Sequence, residues 1–184
     1  MLQLPAKDLV AEILKANSGE HAILVYPHHE SFREIYPQLA KKTLKDNGIV
    51  VLLTYYEPIS RVFQNLSDEG IDVDEERRRG TLIVGDAVDE FFTRGKDFLS
   101  FLLNVERRLK QMGKSHVSVI VSMSAFFLYE KEEDEMVEYE GLLDLSEVRN
   151  WKVLCCYHKG DFDRLSEQTK QVLTSCHSRR LFAT

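Results

Sequence analysis

Short apolar runs alternate along this chain with longer segments that have helical periodicity. Each run is almost free of polar side chains, which is typical of a strand buried on both faces of a parallel sheet. We predict five such strands: HAILVY at residues 21–26, IVVLLT at 49–54, TLIV at 81–84, VSVIV at 117–121 and KVLCCY at 152–157. A sixth strand, at the edge of the sheet, is predicted for RRLFA at residues 179–183.

Amphipathic spacing predicts helices between these strands. The clearest stripe consists of Phe98, Leu102, Val105, Leu109 and Met112. Its intervals of 4, 3, 4 and 3 residues place these side chains on one face of a helix predicted over residues 89–113. Further helices are predicted over residues 4–17, 31–47, 58–69, 130–147 and 163–177, and a charged loop over 73–79.

This order of segments predicts an α/β domain with three layers (α/β/α). Helices would cover both faces of a mainly parallel central sheet of five to six strands. The chain shows no linker or internal repeat, and a length of 184 residues suits one domain, so we expect residues 1–184 to form a single domain. Ligands of such sheets bind at the carboxyl ends of the strands, and the residues that follow each strand are therefore candidates for a site.

Charge and hydropathy exclude some partners. The chain has 24 Lys and Arg residues against 30 Asp and Glu, whereas a domain that binds nucleic acid through its phosphates usually has a basic excess. Its longest stretch without these residues, 115–129, is shorter than the about 20 residues of a membrane span. Three cysteines without a CxxC pair fit a reducing compartment. We expect a cytoplasmic protein that contacts neither nucleic acid nor membrane directly.

The loops after the first and fourth strands lack nucleotide-binding features. The first strand leads into YPHHES at residues 26–31, where a P-loop ATPase needs glycines and a lysine so that backbone amides wrap the phosphates. The fourth leads into SMS at residues 122–124, where such an enzyme presents an aspartate for magnesium. We therefore expect no P-loop ATPase activity, no cofactor and, since no catalytic motif is recognised, no enzyme.

Polar and aromatic residues at the strand ends can nevertheless hold a small ligand. The expected pocket residues are Tyr26, His28, His29, Glu30, Tyr55, Asp86 and Ser122. An alternative is a metal-assisted or Cys/His hydrolase, in which donors from several loops converge on one ion. Its ligands would be His28, His29, Asp86 and His158, although a polar loop with surface histidines is the simpler interpretation.

The remaining cysteines and histidines are interpreted mainly as structural. Cys155 and Cys156 lie in the middle of a predicted strand, where small buried side chains are common. His21 and His116 each begin a strand. His177 follows the last predicted helix, where it can cap backbone carbonyl groups.

Several short motifs also occur in a distinctive order. They are GEHAILVY at residues 19–26, GIDV at 70–73, RGTL at 79–82, MG at 112–113, YE at 139–140, LLDL at 142–145, LCCY at 154–157, His177 and LF at 181–182. In this order the chain resembles the MEDS domain, a sensory domain named after methanogens, methylotrophs and the DcmR regulator. The resemblance implies an archaeal or bacterial protein with a RecA/KaiC-like fold that lacks a working P-loop.

The same resemblance implies that the domain senses a small molecule or another signal, in signal transduction or transcription regulation. Hydrocarbon derivatives are the ligands proposed for the family. The matching motifs add Tyr139, Glu140, Tyr157 and His158 to the candidate ligand-binding residues. His158 departs from the family pattern, which commonly has Asp at this position.

MEDS domains usually stand beside a DNA-binding domain or a histidine kinase, and 184 residues leave no room for either. We therefore expect a stand-alone domain that signals through a separate kinase or DNA-binding regulator. A further alternative is a non-catalytic RecA-like scaffold that acts through protein contacts and forms a homo-oligomer. Its contact surfaces would be the acidic helix at residues 130–147 and the edge strand at 179–183.

Overall fold

The apolar runs form strands of one sheet in a computed structural model, which describes residues 2–15, 19–93, 97–128, 133–143 and 150–184. The strands are β1 (Leu2–Leu4), β2 (His21–Tyr26), β3 (Ile49–Thr54), β4 (Leu82–Asp86), β5 (Val117–Ser122), β6 (Trp151–His158) and β7 (Arg179–Ala183). The α-helices are α1 (Ala6–Leu14), α2 (His29–Lys45), α3 (Ile59–Asp68), α4 (Val73–Arg79), α5 (Asp97–Gln111), α6 (Glu133–Leu143), α7 (Lys159–Arg164) and α8 (Glu167–Cys176). A π-helical turn (Asp89–Thr93) follows β4, and a 3₁₀ helix (Met123–Leu128) follows β5.

The strands pair in the order β1-β7-β2-β6-β5-β3-β4, and every neighbouring pair is parallel. All residues of β2, β3 and β5 are buried, because these strands lie inside the sheet and helices cover both of its faces. This burial explains why their sequences are almost uninterrupted apolar runs rather than alternating ones. The parallel α/β prediction is confirmed.

Side chains of each strand alternate between the two faces of the sheet. In β2, Ala22, Leu24 and Tyr26 belong to the core beneath α1, α2, α3 and α4. Ile23 and Val25 belong to the opposite core, which α5, α6, α7 and α8 cover. The sheet therefore separates two apolar cores, which confirms the three-layer arrangement.

The sheet has seven strands rather than five or six. The additional strand is β1, where Leu2 pairs with Leu181 of β7, so the first helix begins at Ala6 rather than at residue 4. Because β7 lies between β1 and β2, its prediction as an edge strand is wrong, and with it the exposed edge proposed there as a contact surface. Three residues carry too little periodicity to predict a strand, and their partner lies at the other end of the chain.

Helix boundaries also differ from the prediction in places. Residues 73–79 form α4 instead of a loop, because Asp72 accepts a hydrogen bond from the backbone amide of Glu75 at 3.0 Å and Gly80, with φ of 76°, ends the helix. The segment predicted as one helix at 89–113 begins as a π-helical turn and continues as α5. Of the predicted helix at 130–147, Glu133–Leu143 is helical, and residues 130–132 and 144–147 lie outside the described part. Nowhere in the described ranges does a helix have the length and hydropathy needed to cross a bilayer.

Candidate functional site

A cavity lies at the carboxyl ends of β2, β3 and β5, where the last residue of each strand faces the α2 side of the sheet. Its empty volume, including the part open to solvent, is about 240 Å³. The lining residues are Tyr26, His29, Phe32, Thr54, Tyr55, Tyr56, Glu57 and Ser122. The β2–α2 connection above it consists of only Pro27 and His28, so the first turn of α2 packs directly against the strand ends.

Three buried hydroxyl groups in this cavity make no well-aligned hydrogen bond to a described residue, although two of them, those of Tyr26 and Ser122, lie near each other. They are the hydroxyls of Tyr26, Thr54 and Ser122, whose residues are 0%, 2% and 1% exposed. A buried hydroxyl without a partner destabilises the folded state by about 1–3 kcal/mol, so native proteins rarely leave one unmet unless water or a ligand completes it. The three groups therefore mark the cavity as a place for a polar atom from outside the chain.

Aromatic and histidine rings form the rim of the cavity. The ring of His29 stacks on His158 with 4.7 Å between centroids and lies 4.1 Å from the ring of Tyr56. The Tyr56 hydroxyl donates to the carboxylate of Asp161 in α7. Burial, followed by the nearby His158 and Arg33, lowers the pKa of His29. These contacts favour a neutral imidazole at the entrance.

Glu57 forms the wall of the cavity next to β3, and its charge is already balanced. Arg33 of α2 donates to Oε1 of Glu57, and the Tyr36 hydroxyl donates to Oε2 at 3.1 Å. Asn65 of α3 donates to the same oxygen at 3.2 Å. This network fixes α2 and α3 against the end of β3, and it leaves the cavity without an unpaired carboxylate on this wall.

The structure brings together only part of the predicted pocket. Tyr26, His29, Tyr55 and Ser122 line the cavity, and His158 contacts it through His29. His28 is exposed at the start of α2, and Glu30 is exposed beside Arg33 at 3.3 Å. The carboxylate of Asp86 accepts hydrogen bonds from the amides of Val88 and Asp89, so it caps the turn that follows β4.

A second cluster lies on the opposite face of the sheet, around the buried carboxylate of Glu140 in α6. Its Oε2 atom is 3.0 Å from Sγ of Cys155, 3.2 Å from Nε2 of His21 and 3.3 Å from Nε2 of His177. Its Oε1 atom accepts a hydrogen bond from the Tyr157 hydroxyl. All five residues are buried, so the polar atoms of β2, β6, α6 and the end of α8 meet without access to solvent.

The electrostatics of this cluster favour a charged carboxylate. Burial by itself would raise the pKa of Glu140, but His177 and His21 outweigh it and hold that pKa well below its usual range. Burial disfavours a charged His177, whereas Cys176 and Glu140 raise its pKa to about 10. Burial, together with Glu140, raises the pKa of Cys155. In the absence of other ions, Glu140 and protonated His177 balance each other.

The structure separates the residues that the family motifs added. Glu140 and Tyr157 form this second cluster rather than the cavity at the strand ends. The Tyr139 hydroxyl donates to the backbone carbonyl of Phe91 at 2.9 Å and packs in the α5–α6 core. Of these four residues, His158 lies next to the cavity, where its ring stacks on that of His29.

Metal-ligating side chains converge at the second cluster instead of at the loop histidines. Among the described residues, a group close enough to share one ion consists of His21, Glu140, Cys155 and His177. The alternative set of His28, His29, Asp86 and His158 does not form such a group, since His28 is exposed and Asp86 caps a turn.

Sequence reasoning missed residues at both places. Thr54, Tyr56 and Glu57 follow the same rule of strand carboxyl ends that selected Tyr55, and Asp161 follows β6 in α7. His21, Cys155 and His177 were interpreted as structural one at a time. Only their shared neighbour, Glu140, shows that they belong together.

The fold is shared with KaiC-like proteins. A KaiC-like protein from Pyrococcus horikoshii OT3 superposes with a TM-score of 0.61 at 16% identity, over 87% of this chain and 68% of that one. An uncharacterized protein from Pyrococcus horikoshii, solved in complex with an unknown peptide, superposes with a TM-score of 0.70 at 14% identity, over 97% of this chain and 84% of that one. The flagellar accessory protein FlaH from Methanocaldococcus jannaschii superposes with a TM-score of 0.57 at 13% identity, over 97% of this chain and 77% of that one. At these identities the likeness shows the fold alone, a RecA/KaiC-like α/β domain.

The sequence narrows this class further. Residues 20–178 match the MEthanogen/methylotroph, DcmR Sensory domain, and the chain belongs to this MEDS family. The resemblance inferred from the short motifs is thereby confirmed. A comparison with curated proteins found no matching sequence.

Proposed function

We propose that this chain is a sensory domain that binds a small neutral ligand at the carboxyl ends of β2, β3 and β5 and passes its bound state to a partner protein. The observation that carries the proposal is the set of three buried hydroxyls of Tyr26, Thr54 and Ser122, which make no well-aligned hydrogen bond to a described residue. Membership of a sensory-domain family supports it.

The lining of the cavity suits a weakly polar organic molecule. The rings of Tyr26 and Phe32 stack with 5.1 Å between centroids and give the cavity apolar walls, while the hydroxyls offer hydrogen bonds. Glu57 on the wall is balanced by Arg33, so nothing there demands a charged ligand. Much of the empty volume of about 240 Å³ is open to solvent, and the enclosed part admits a group about the size of a water molecule or a hydroxyl, which favours a ligand that inserts one small polar group.

The position of the cavity also suits signalling. A ligand bound there contacts the first turn of α2, the β3–α3 connection and, through His29, the β6–α7 junction. Binding can therefore shift how these helices pack, and a partner can sense that shift. The chain has a net charge of −6, which disfavours direct contact with the phosphates of DNA. We propose that it acts in the cytoplasm, without catalysis, through a separate kinase or DNA-binding regulator.

Thermal unfolding in the presence of short-chain alcohols and amides tests the proposal. A ligand at about 100 times its Kd stabilises the folded chain by about 2.7 kcal/mol, so at least one compound should raise the Tm of the wild-type protein. In Ser122→Ala the same compound should bind about 5- to 10-fold more weakly, because one hydrogen bond of about 1 kcal/mol is lost.

Ser118→Ala is the matched control, since Ser118 is a buried serine of the same strand that bonds to Thr43 outside the cavity. It should keep the full ligand response. A panel that leaves the wild-type Tm unchanged, or an equal loss of response in both variants, would contradict binding at this site.

A further inference from the structure

We propose that His21, Glu140, Cys155 and His177 form a four-coordinate metal site for an ion of the zinc class. The site lies on the face of the sheet opposite to the ligand cavity. His21 and Tyr26 are the two ends of the six-residue strand β2, about 16 Å apart at 3.3 Å per residue. The inference is therefore independent of the proposed ligand pocket.

The spacing of the donor atoms fits one ion. All four ligand atoms lie within 4.8 Å of one another. Ligand bonds of about 2.0–2.3 Å in tetrahedral geometry place donor atoms roughly 3.3–3.8 Å apart. Sγ of Cys155 lies 3.1 Å from Nε2 of His21, and Oε2 of Glu140 lies 3.0–3.3 Å from the other three donors. These four of the six donor–donor distances lie at or slightly below the tetrahedral range, so small shifts of the side chains would form a tetrahedral site around an ion.

Neighbouring groups already orient two of the ligands. Nδ1 of His177 donates to the backbone carbonyl of Leu173 at 2.5 Å, which leaves Nε2 to offer its lone pair. That Nε2 atom is buried and faces Oε2 of Glu140 at 3.3 Å. Tyr157 holds Oε1 of Glu140, so Oε2 points at the other donors. Such outer contacts are typical of metal-binding histidines and carboxylates.

The donor chemistry selects the ion. Two imidazoles, a thiolate and a carboxylate suit Zn²⁺, whereas Ca²⁺ and Mg²⁺ take oxygen ligands. On binding, Cys155 and His177 release their protons to solvent, and the charges of Glu140 and the Cys155 thiolate neutralise the ion. With four protein ligands and no exposed position, the site is of the structural type, which stabilises the fold by joining β2, β6, α6 and α8.

Cobalt substitution tests the site directly. The untagged chain, unfolded and refolded with Co²⁺, should bind one ion per chain and show the visible bands of tetrahedral cobalt with a thiolate-to-cobalt charge-transfer band. Expression in zinc-supplemented medium should give about one zinc per chain by elemental analysis, and removing it with a chelator during refolding should lower the Tm.

Cys155→Ser should lose the charge-transfer band, and Cys156→Ser should keep it. Cys156 is the matched control because it is equally buried but belongs to the core on the other face of the sheet. If Cys155→Ser does not fold, a Cys156→Ser/Cys176→Ser double variant, whose only thiol is Cys155, should still show the band.

Two results would overturn the proposal. One is a wild-type chain that refolds with its native far-UV circular dichroism yet shows no charge-transfer band and binds neither zinc nor cobalt. That result would leave the cluster as a hydrogen-bonded ion pair between Glu140 and protonated His177. The other is a band that survives in Cys155→Ser or disappears from the folded double variant, since the ion would then bind elsewhere.

Discussion

Oε2 of Glu140 lies 3.3 Å from Nε2 of His177, and both side chains are almost completely buried. A buried charge is tolerated only when it is paired and its remaining polar atoms are hydrogen-bonded. Tyr157 and Cys155 meet the second condition by donating to the same carboxylate. One carboxylate of α6 therefore holds together side chains from β2, β6 and the end of α8.

Glu140→Gln should destabilise the chain by about 3–5 kcal/mol, since it removes one partner of a buried pair and leaves protonated His177 without a counter-charge. The measurement is urea unfolding followed by circular dichroism. Glu138→Gln is the control, because Glu138 is exposed on the same helix, and it should change the free energy of unfolding by less than about 0.5 kcal/mol. Equal unfolding midpoints for the two variants would contradict this role of Glu140.

Tyr26 and Tyr36 are both fully buried tyrosines whose hydroxyls differ in their partners. The Tyr36 hydroxyl donates to Glu57 and accepts from Asn65 at 2.6 Å, whereas that of Tyr26 has no partner within the described residues. Tyr36→Phe should therefore lower the free energy of unfolding by about 1–3 kcal/mol, and Tyr26→Phe should leave it unchanged or slightly higher. A large loss in Tyr26→Phe without any ligand would show that its hydroxyl is satisfied by the protein itself.

Two glycines should respond to alanine in opposite directions. Gly141 lies inside α6, and a Cβ there meets no atom within 4 Å, so Gly141→Ala should raise the free energy of unfolding by about 0.5–1 kcal/mol. At Gly48 a Cβ would lie 2.7 Å from Cγ2 and 2.9 Å from the carbonyl oxygen of Thr43, so Gly48→Ala should lower it by about 1–3 kcal/mol. Denaturant midpoints of the two variants compare them directly. If Gly48→Ala were more stable than the wild type, the chain before β3 would be able to shift away from Thr43 and accommodate the Cβ.

His116 should make the stability of the chain depend on pH. Burial, with Lys152 next in importance, lowers the pKa of His116 in the folded state below the ordinary value of 6.5, while Asp46 opposes this and Lys42 adds to it. The unfolded chain then takes up a proton more readily than the folded chain as the pH falls through that value, so stability decreases on acidification.

The test is the free energy of unfolding of the wild type and of His116→Gln from pH 8 down to pH 5. The gap between them at pH 8 reports the lost packing and the lost hydrogen bond to Ser115, because both folded and unfolded His116 are then neutral. Below about pH 6.5 the wild type should lose stability faster than the variant, so the gap should narrow. Parallel profiles over the whole range would show that His116 contributes nothing to the pH dependence.

Most of the fold was predictable from local sequence. The apolar runs of β2, β3 and β5 identify buried parallel strands because both faces of each strand are covered, and right-handed crossovers then follow from chirality. The strand β1 was not predictable in this way. Its three residues become a strand only through pairing with β7 at the far end of the chain.

The candidate site was predictable only in outline. The rule that ligands bind at strand carboxyl ends selected Tyr26 and Ser122, and both line the cavity. It also selected Asp86, because sequence does not show that this carboxylate is used by the backbone amides of the next turn. Which hydroxyl remains unpaired depends on the packing of α2 and α3 above it.

The sequence by itself determined the alternation of strands and helices, the loop without P-loop glycines and the family to which the chain belongs. Each of these can be recognised from short segments of consecutive residues. The tertiary structure decided that His21, Glu140, Cys155 and His177 meet at one point. Their convergence depends on strand register, on helix placement and on burial, because polar groups without access to water are stable only when they pair with one another. These are long-range contacts, and local periodicity carries no information about them.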